Sequence, residues 1–278
     1  MACLVGCGGA IASGAAVGKV GRDLGAHAQA APQGAEVCAL KEALAASPGG
    51  TEKAMSEACT KQLAKDELWR RTIVVLGAYG ETLDQVASGN RGDNTGKLEA
   101  ARTGVQGNSW IQVEGGPETA ARDAAGQLVE LLSTKGGSDD AEGLVKEAAP
   151  HVKTICQGLV PYLDEQARAF GDVEKEIEKR RAAKSDHRCT TFENKSICVG
   201  ESASDRVIYG EAFGQLVLAE HNHAETRGAV AGFCAAHERL ADAASKGNLG
   251  DSATFKDVLD AVRTSAHEAP PPPSPPKK

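Results

Sequence analysis

The segment 189–202, CTTFENKSICVGES, decides the fold that we predict for this chain. It lies between two long stretches, residues 138–187 and 202–247, whose apolar residues recur at helical spacing. Cys189 and Cys198 flank a short segment that we expect to form a small β-hairpin closed by a disulfide. The sequence therefore predicts a long antiparallel helical hairpin, a two-helix arm with a disulfide-closed tip.

A second pair of cysteines supports this register. Cys156 and Cys234 have almost the same midpoint in the sequence as Cys189 and Cys198. Residues equidistant from the turn of an antiparallel helical hairpin lie opposite each other, and each residue advances the helix by about 1.5 Å. Both pairs therefore fit as rungs of one hairpin, and we predict a disulfide at each.

The first part of the chain predicts a smaller hairpin of the same kind. Residues 34–47 and 51–88 have helical patterns on either side of Pro48-Gly49-Gly50, which is a strong break. Cys38 and Cys59 are equidistant from that break, so we predict a third disulfide between them. Three disulfides indicate an oxidising, extracytoplasmic compartment, because thiols stay reduced in the cytosol.

The composition favours an all-α fold. The chain of 278 residues is long enough to bury a sizeable core, yet only 4% of its residues are aromatic. A core of Leu, Val, Ile and Ala suits closely packed helices better than a sheet. We expect an elongated antiparallel helical bundle, in which Pro150 and Pro161 break or kink the first long helix.

Three interpretations compete for the opening stretch MACLVGCGGAIASGAAVGKVG. A dinucleotide-binding turn is excluded because Ile11 replaces the last glycine of G-x-G-x-x-G and no βαβ pattern follows. A conventional signal peptide would be cleaved after Ala28-Gln29-Ala30, although Lys19, Arg22 and Asp23 lie in front of that site. A tail rich in Gly and Ala, without a targeting role, is a further alternative.

The third interpretation is lipidation. Leu4-Val5-Gly6-Cys7 resembles the lipobox of bacterial lipoproteins, in which a Leu, a small residue and a Gly or Ala precede the lipidated Cys. The resemblance implies that Cys7 becomes a diacylated amino terminus and anchors the protein to a membrane of the cell envelope. Residues 8–33, which are small and flexible in composition, are then expected to be a linker.

These observations divide the chain into three parts. Residues 1–33 hold the lipobox-like start and the flexible linker, residues 34–268 the helical bundle, and residues 269–278 a Pro-rich tail. Within the bundle, the first hairpin with short helices, the long hairpin and a last helix occupy residues 34–135, 138–247 and 251–267.

Charge and hydropathy limit the partners. A net charge of −7 and a pI near 5.6 argue against nucleic acid, because no basic surface offsets repulsion by phosphate. No uncharged stretch reaches the roughly 20 apolar residues that a membrane span needs. The expected partners are a membrane, through the lipid anchor, and an envelope protein or polymer.

Glu220 and His223 are the candidates for a metal site. Their i,i+3 spacing puts both on one helical face, but di-iron bundles need two such motifs and two further glutamates. We find no second Glu-x-x-His, so we predict neither a metal nor another cofactor. If Glu220, His223 and Arg227 were buried, they would have to pair with one another. We expect instead that a small apolar row faces the bundle: Val217, Ala224, Gly228, Ala231 and Ala235.

The sequence thus predicts a non-catalytic, lipid-anchored envelope protein that binds or spaces other molecules. It contains no G-x-S-x-G nucleophile elbow, and its cysteines are assigned to disulfides. A membrane-acting protein that resembles helical pore-forming toxins in architecture is one alternative. The hairpin tips of those toxins are strongly apolar, whereas Phe192 and Ile197 at the predicted tip of this chain lie among polar residues. A metal-binding helical bundle is the other alternative.

Overall fold

The computed structural model describes most of the chain as helices. The described residues are 6–27, 34–45, 56–89, 115–135, 140–186, 189–192, 195–198 and 203–249, together with single positions in 99–103 and 254–260. Expectations for the Pro-rich tail and for most of the last predicted helix lie outside these residues. The predicted all-α fold class is confirmed, since the only strands among the described residues form one short hairpin.

The boundaries of the long helices match the sequence patterns to within a few residues. The helices are α1 Gly6–His27, α2 Gly34–Ala45, α3 Glu57–Ser88, α4 Gly116–Lys135, α5 Ala141–Asp186 and α6 Ala203–Ser245. Ser56 caps α3 by accepting the backbone N–H of Cys59 at 3.2 Å, and Gly89, with φ of 66°, ends it in the left-handed region.

The main core lies among α1, α3, α4, α5 and α6. The apolar residues of α3 that recur at helical spacing are fully buried there: Trp69, Ile73, Leu76, Tyr79 and Leu83. A smaller core forms where α2 lies against α5 and α6, around Val37, Phe170, Val173, Ile177 and Leu216. The base of the predicted arm is therefore covered by α2.

The prediction of a flexible linker over residues 8–33 is wrong for its larger part. Residues 6–27 form α1, which packs along α3 and buries Val17 and Leu24 completely. The small residues of α1 allow this contact, because a Cβ on Gly21 would lie only 2.6 Å from the Cα of Gly80. Glycines that suggest flexibility in the sequence thus let two helix backbones approach closely.

The two strands pair as predicted. β1 (Cys189–Phe192) and β2 (Lys195–Cys198) are antiparallel, and the register places Cys189 opposite Cys198 and Phe192 opposite Lys195. The side chains of this hairpin lie outside the described part of the chain. The disulfide between Cys189 and Cys198 therefore stays a prediction that the register supports.

Candidate functional site

Two disulfides link the helices as the sequence predicts. Cys38 in α2 is bonded to Cys59 in α3, with their Cα atoms 5.4 Å apart. Cys156 in α5 is bonded to Cys234 in α6, with a Cα separation of 5.8 Å. Such bonds are typical of an oxidising environment outside the cytoplasm.

A groove of about 690 Å³ runs between α5 and α6 beside the Cys156–Cys234 disulfide. This volume lies within the range of small-molecule sites. Most of its walls are aliphatic: Ala149, Val152, Val160, Pro161, Ala231 and Ala235. We call this feature the α5–α6 groove and treat it as the candidate functional site.

The prediction that the small row of α6 faces the bundle is wrong. Its members are only partly buried, and Ala231 and Ala235 line the α5–α6 groove instead. The buried face of α6 carries larger side chains, namely His223, Thr226, Val230, Phe233 and His237. This face is buried because its two histidines have hydrogen-bond partners across the core, at Leu163 and Tyr79, and because Val230 and Phe233 are larger than the residues of the small row.

His237 forms part of the inner wall of the groove. Its Nε2 lies 2.9 Å from the hydroxyl of Tyr79 on α3, and its ring stacks on Phe233 with centroids 5.9 Å apart. Burial lowers the pKa of His237 to about 4. The imidazole is therefore neutral at pH 7, and it contributes polarity without charge to the inner wall.

The Glu-x-x-His pair does not assemble as a metal site. His223 is buried and its Nε2 donates to the carbonyl of Leu163 at 2.8 Å, while Nδ1 has no hydrogen-bond partner among the described residues. Burial is the main cause that lowers the pKa of His223. Burial, with a smaller contribution from Glu174, raises the pKa of Glu220.

Glu220, His223 and Arg227 do not pair with one another, although the sequence predicts such pairing if all three are buried. Arg227 forms its ion pair with Asp164 on α5, with Nε and Oδ1 2.5 Å apart. Neither Glu220 nor His223 belongs to a cluster of possible metal ligands in the described part of the chain. The cluster found there combines Glu42 with the Cys38 and Cys59 sulfurs, which are bonded to each other and so are not thiolates.

Two opposite charges lie at the groove on different helices. Lys153 on α5 and Glu238 on α6 both line it, and both are exposed. No ion pair joins either of them to another residue that the structure describes. Sequence reasoning missed these residues, although their positions next to the predicted Cys156–Cys234 disulfide are a signal that could have found them.

The prolines of α5 change the backbone hydrogen bonding beside the groove. The sequence predicts a break or a kink at Pro150 and Pro161, and the break is wrong, because α5 runs through both prolines, which line the groove. Since Pro161 has no N–H, the carbonyl of Gln157 lacks its usual intrahelical donor. Gln157, the residue after Cys156, lines the groove as well.

A second polar cluster is centred on Asp66 in α3. Its buried carboxylate accepts hydrogen bonds from the Ala35 N–H at 2.6 Å, from Gln166 Nε2 at 2.8 Å and from the hydroxyl of Tyr162. Burial is the largest effect on this carboxyl and raises the pKa of Asp66. Because protein donors occupy both oxygens, we assign this cluster to the joining of α2, α3 and α5.

No protein-family model, curated protein or solved structure matches this chain. Among the described residues, no helix combines the length and the apolar character required to cross a membrane.

Proposed function

We propose that this chain is a lipid-anchored protein of the cell envelope that binds an apolar ligand in the α5–α6 groove and catalyses no reaction. The observation that carries the proposal is the groove itself, an aliphatic channel beside a disulfide on the surface of the bundle. Aliphatic walls with few polar groups suit binding, since acid–base or nucleophilic chemistry needs several converging polar side chains.

The packing of α1 supports an anchor at Cys7 over a signal peptide cleaved after residues 28–30. Cleavage at that later site would remove α1 and expose the face of α3 around Gly77 and Gly80 to water. Processing at Cys7 keeps almost all of α1, including the fully buried Val17 and Leu24. The lipid would then hold the bundle close to the bilayer, which favours binding over a spacer role.

The anchor is tested by expressing the gene with its upstream DNA in a lipidating bacterium. The expected product is a mature protein that begins at diacylated Cys7, identified by intact mass and amino-terminal analysis. Cys7→Ser should abolish the lipid mass, whereas Cys3→Ser is the matched control and should leave it. An unmodified amino terminus at Met1 would contradict the anchor.

The groove is tested separately with a fluorescent apolar probe and the purified chain. Probe binding is expected for the native protein and should be lost in Ala235→Trp, whose indole fills the groove. Leu218→Trp is the control, because Leu218 lies on α6 with 62% of its surface exposed and does not line the groove. Equal binding by both variants would exclude the groove as the site.

A further inference from the structure

We propose that the α5–α6 groove binds a single-chain zwitterionic phospholipid, with its phosphate on Lys153 and its ammonium on Glu238. This inference rests on the proposed binding role of the groove and names the ligand class. The acyl chain would lie along the aliphatic walls, while the two exposed charges hold the head group at the surface.

The two charges lie at the same level of the helix pair. Lys153 precedes Cys156 by three residues and Glu238 follows Cys234 by four, and the two helices are antiparallel and bonded at those cysteines. A cation on one wall and an anion on the other complement a head group that carries both charges. A purely anionic ligand would be attracted by Lys153 but repelled by Glu238.

The shape and the lining of the groove favour an acyl chain. Its lining on α5 extends from Ala149 to Pro161, and the part from Lys153 to Pro161, along which the chain would lie, is about 12 Å long. The only aromatic ring among the lining residues is that of His237, and the other walls are mostly aliphatic, which suits a flexible hydrocarbon better than an aromatic ligand.

We assign a further contact to the backbone carbonyl of Gln157. Gln157 lines the groove between Lys153 and Pro161, and its carbonyl loses the usual intrahelical donor because residue 161 is a proline. The glycerol of a single-chain phospholipid carries a free hydroxyl next to its phosphate. That hydroxyl would donate to the Gln157 carbonyl, which a diacyl lipid, with its hydroxyl esterified, would not do.

The test is calorimetric titration of the full oxidised chain with palmitoyl-lysophosphatidylethanolamine below its micelle concentration. Lys153→Glu and Glu238→Lys are each expected to weaken binding by about tenfold, the effect of one charge-assisted contact. The double variant Lys153→Glu/Glu238→Lys presents the same charges on exchanged walls. It should recover binding to within about threefold of the native chain, since the head group can turn around.

Two controls distinguish the contribution of the lipid head group to the affinity from that of the acyl chain. Lys41→Glu on α2 makes the same charge change at an exposed site away from the groove and should not alter the affinity. Monopalmitoylglycerol, which has the same acyl chain but no charge, should bind about tenfold more weakly than the phospholipid.

The outcomes distinguish this inference from the proposed function. If monopalmitoylglycerol binds as tightly and neither charge reversal matters, the zwitterionic ligand is excluded while the apolar groove remains a binding site. Failure of the double variant to recover binding, despite loss in both single variants, also overturns the pairing with both charges. If neither lipid binds and Ala235→Trp has no effect on the apolar probe, both proposals fall.

Discussion

Two helix faces rich in small residues differ in how they pack. The face on α1 is closely packed against α3, whereas the face on α6 is partly exposed. On α1, Gly18 and Gly21 lie so close to α3 that an added Cβ would meet backbone atoms of Asp84 at 2.5 Å and of Gly80 at 2.6 Å. On α6, the corresponding row with Ala231 and Ala235 stays partly exposed and forms one wall of the groove. Small residues at helical spacing thus permit close packing without requiring it.

The difference lies in what faces each row. The glycines of α1 meet Gly77 and Gly80, so that two backbones can approach and the interface closes. The row on α6 instead borders the groove, beside the Cys156–Cys234 bond that joins α5 and α6. The α1–α3 interface is closed by its glycines, whereas the α5–α6 pair shares the main core and is open along the groove.

The largest expected effect comes from breaking that bond. Replacing both Cys156 and Cys234 by Ala should lower the free energy of unfolding by about 4 kcal/mol, because the bond closes a long loop in the unfolded chain. The sequence separation is 78 residues here and 21 for Cys38–Cys59, whose removal should cost about 3 kcal/mol. Urea denaturation of both double variants checks this order, and a smaller loss for the longer loop would contradict it.

The next effect concerns the glycine contact. Gly80→Ala should destabilise the protein by about 3 kcal/mol, because the new methyl group collides with the backbone of α1 at Gly21 and Arg22. Gly171→Ala is the matched control, since nothing lies within 4 Å of a Cβ at that helical position. It should stabilise the protein by up to about 1 kcal/mol through helix propensity. Similar melting temperatures for the two variants would show that α1 does not pack as described.

A third effect concerns His237, which is buried on α6 and forms part of the inner wall of the groove. His237 has a pKa of about 4 in the folded protein, below the ordinary value of 6.5, so the unfolded chain binds the proton more tightly. Its contribution to stability is therefore complete above pH 6.5 and is lost as the pH falls towards 4. Between pH 7 and pH 5 the loss should be about 2 kcal/mol.

The measurement is the pH dependence of unfolding in the native chain and in His237→Gln. The difference between their slopes isolates His237, because His223, Asp66 and Glu220 titrate in both proteins. An unchanged slope in His237→Gln would mean that this imidazole is not buried in the neutral form.

The smallest effect is expected in the groove. Ala231→Leu should change the free energy of unfolding by no more than about 0.5 kcal/mol, because the added side chain enters open space. The same variant should weaken binding of an apolar probe. A loss of several kcal/mol in thermal or urea unfolding would place this row in a closed interface and remove the contrast with α1.

Much of the fold could be predicted from the sequence, because the positions of the cysteines indicate which helices lie next to each other. Equidistance from a turn identified Cys38–Cys59 and Cys156–Cys234 without any knowledge of the side chains between them. It failed for α1, because a helix rich in Gly and Ala has the composition of a linker. Only the matching glycines on α3 distinguish the two, and that match depends on a contact between helices far apart in the chain.

The groove was harder to predict for a related reason. His223 and His237 are buried because a carbonyl at Leu163 and a hydroxyl at Tyr79 lie across the core. The sequence of α6 alone does not indicate those partners. The row of small apolar residues was therefore predicted to face the core, and not the face that carries the two histidines. A helix pattern alone ranks faces by hydropathy, whereas the folded bundle also satisfies hydrogen bonds.

The carboxylate of Asp66 has a consequence for how this bundle assembles. Its donors come from Ala35, Tyr162 and Gln166, which lie on two other helices and far apart in the sequence. An intermediate in which α2 or α5 has not yet docked leaves that carboxylate in a partly dry site without its donors, which is costly. Asp66 therefore raises the free energy of states in which only some of these helices have docked, and it favours concerted docking of α2, α3 and α5.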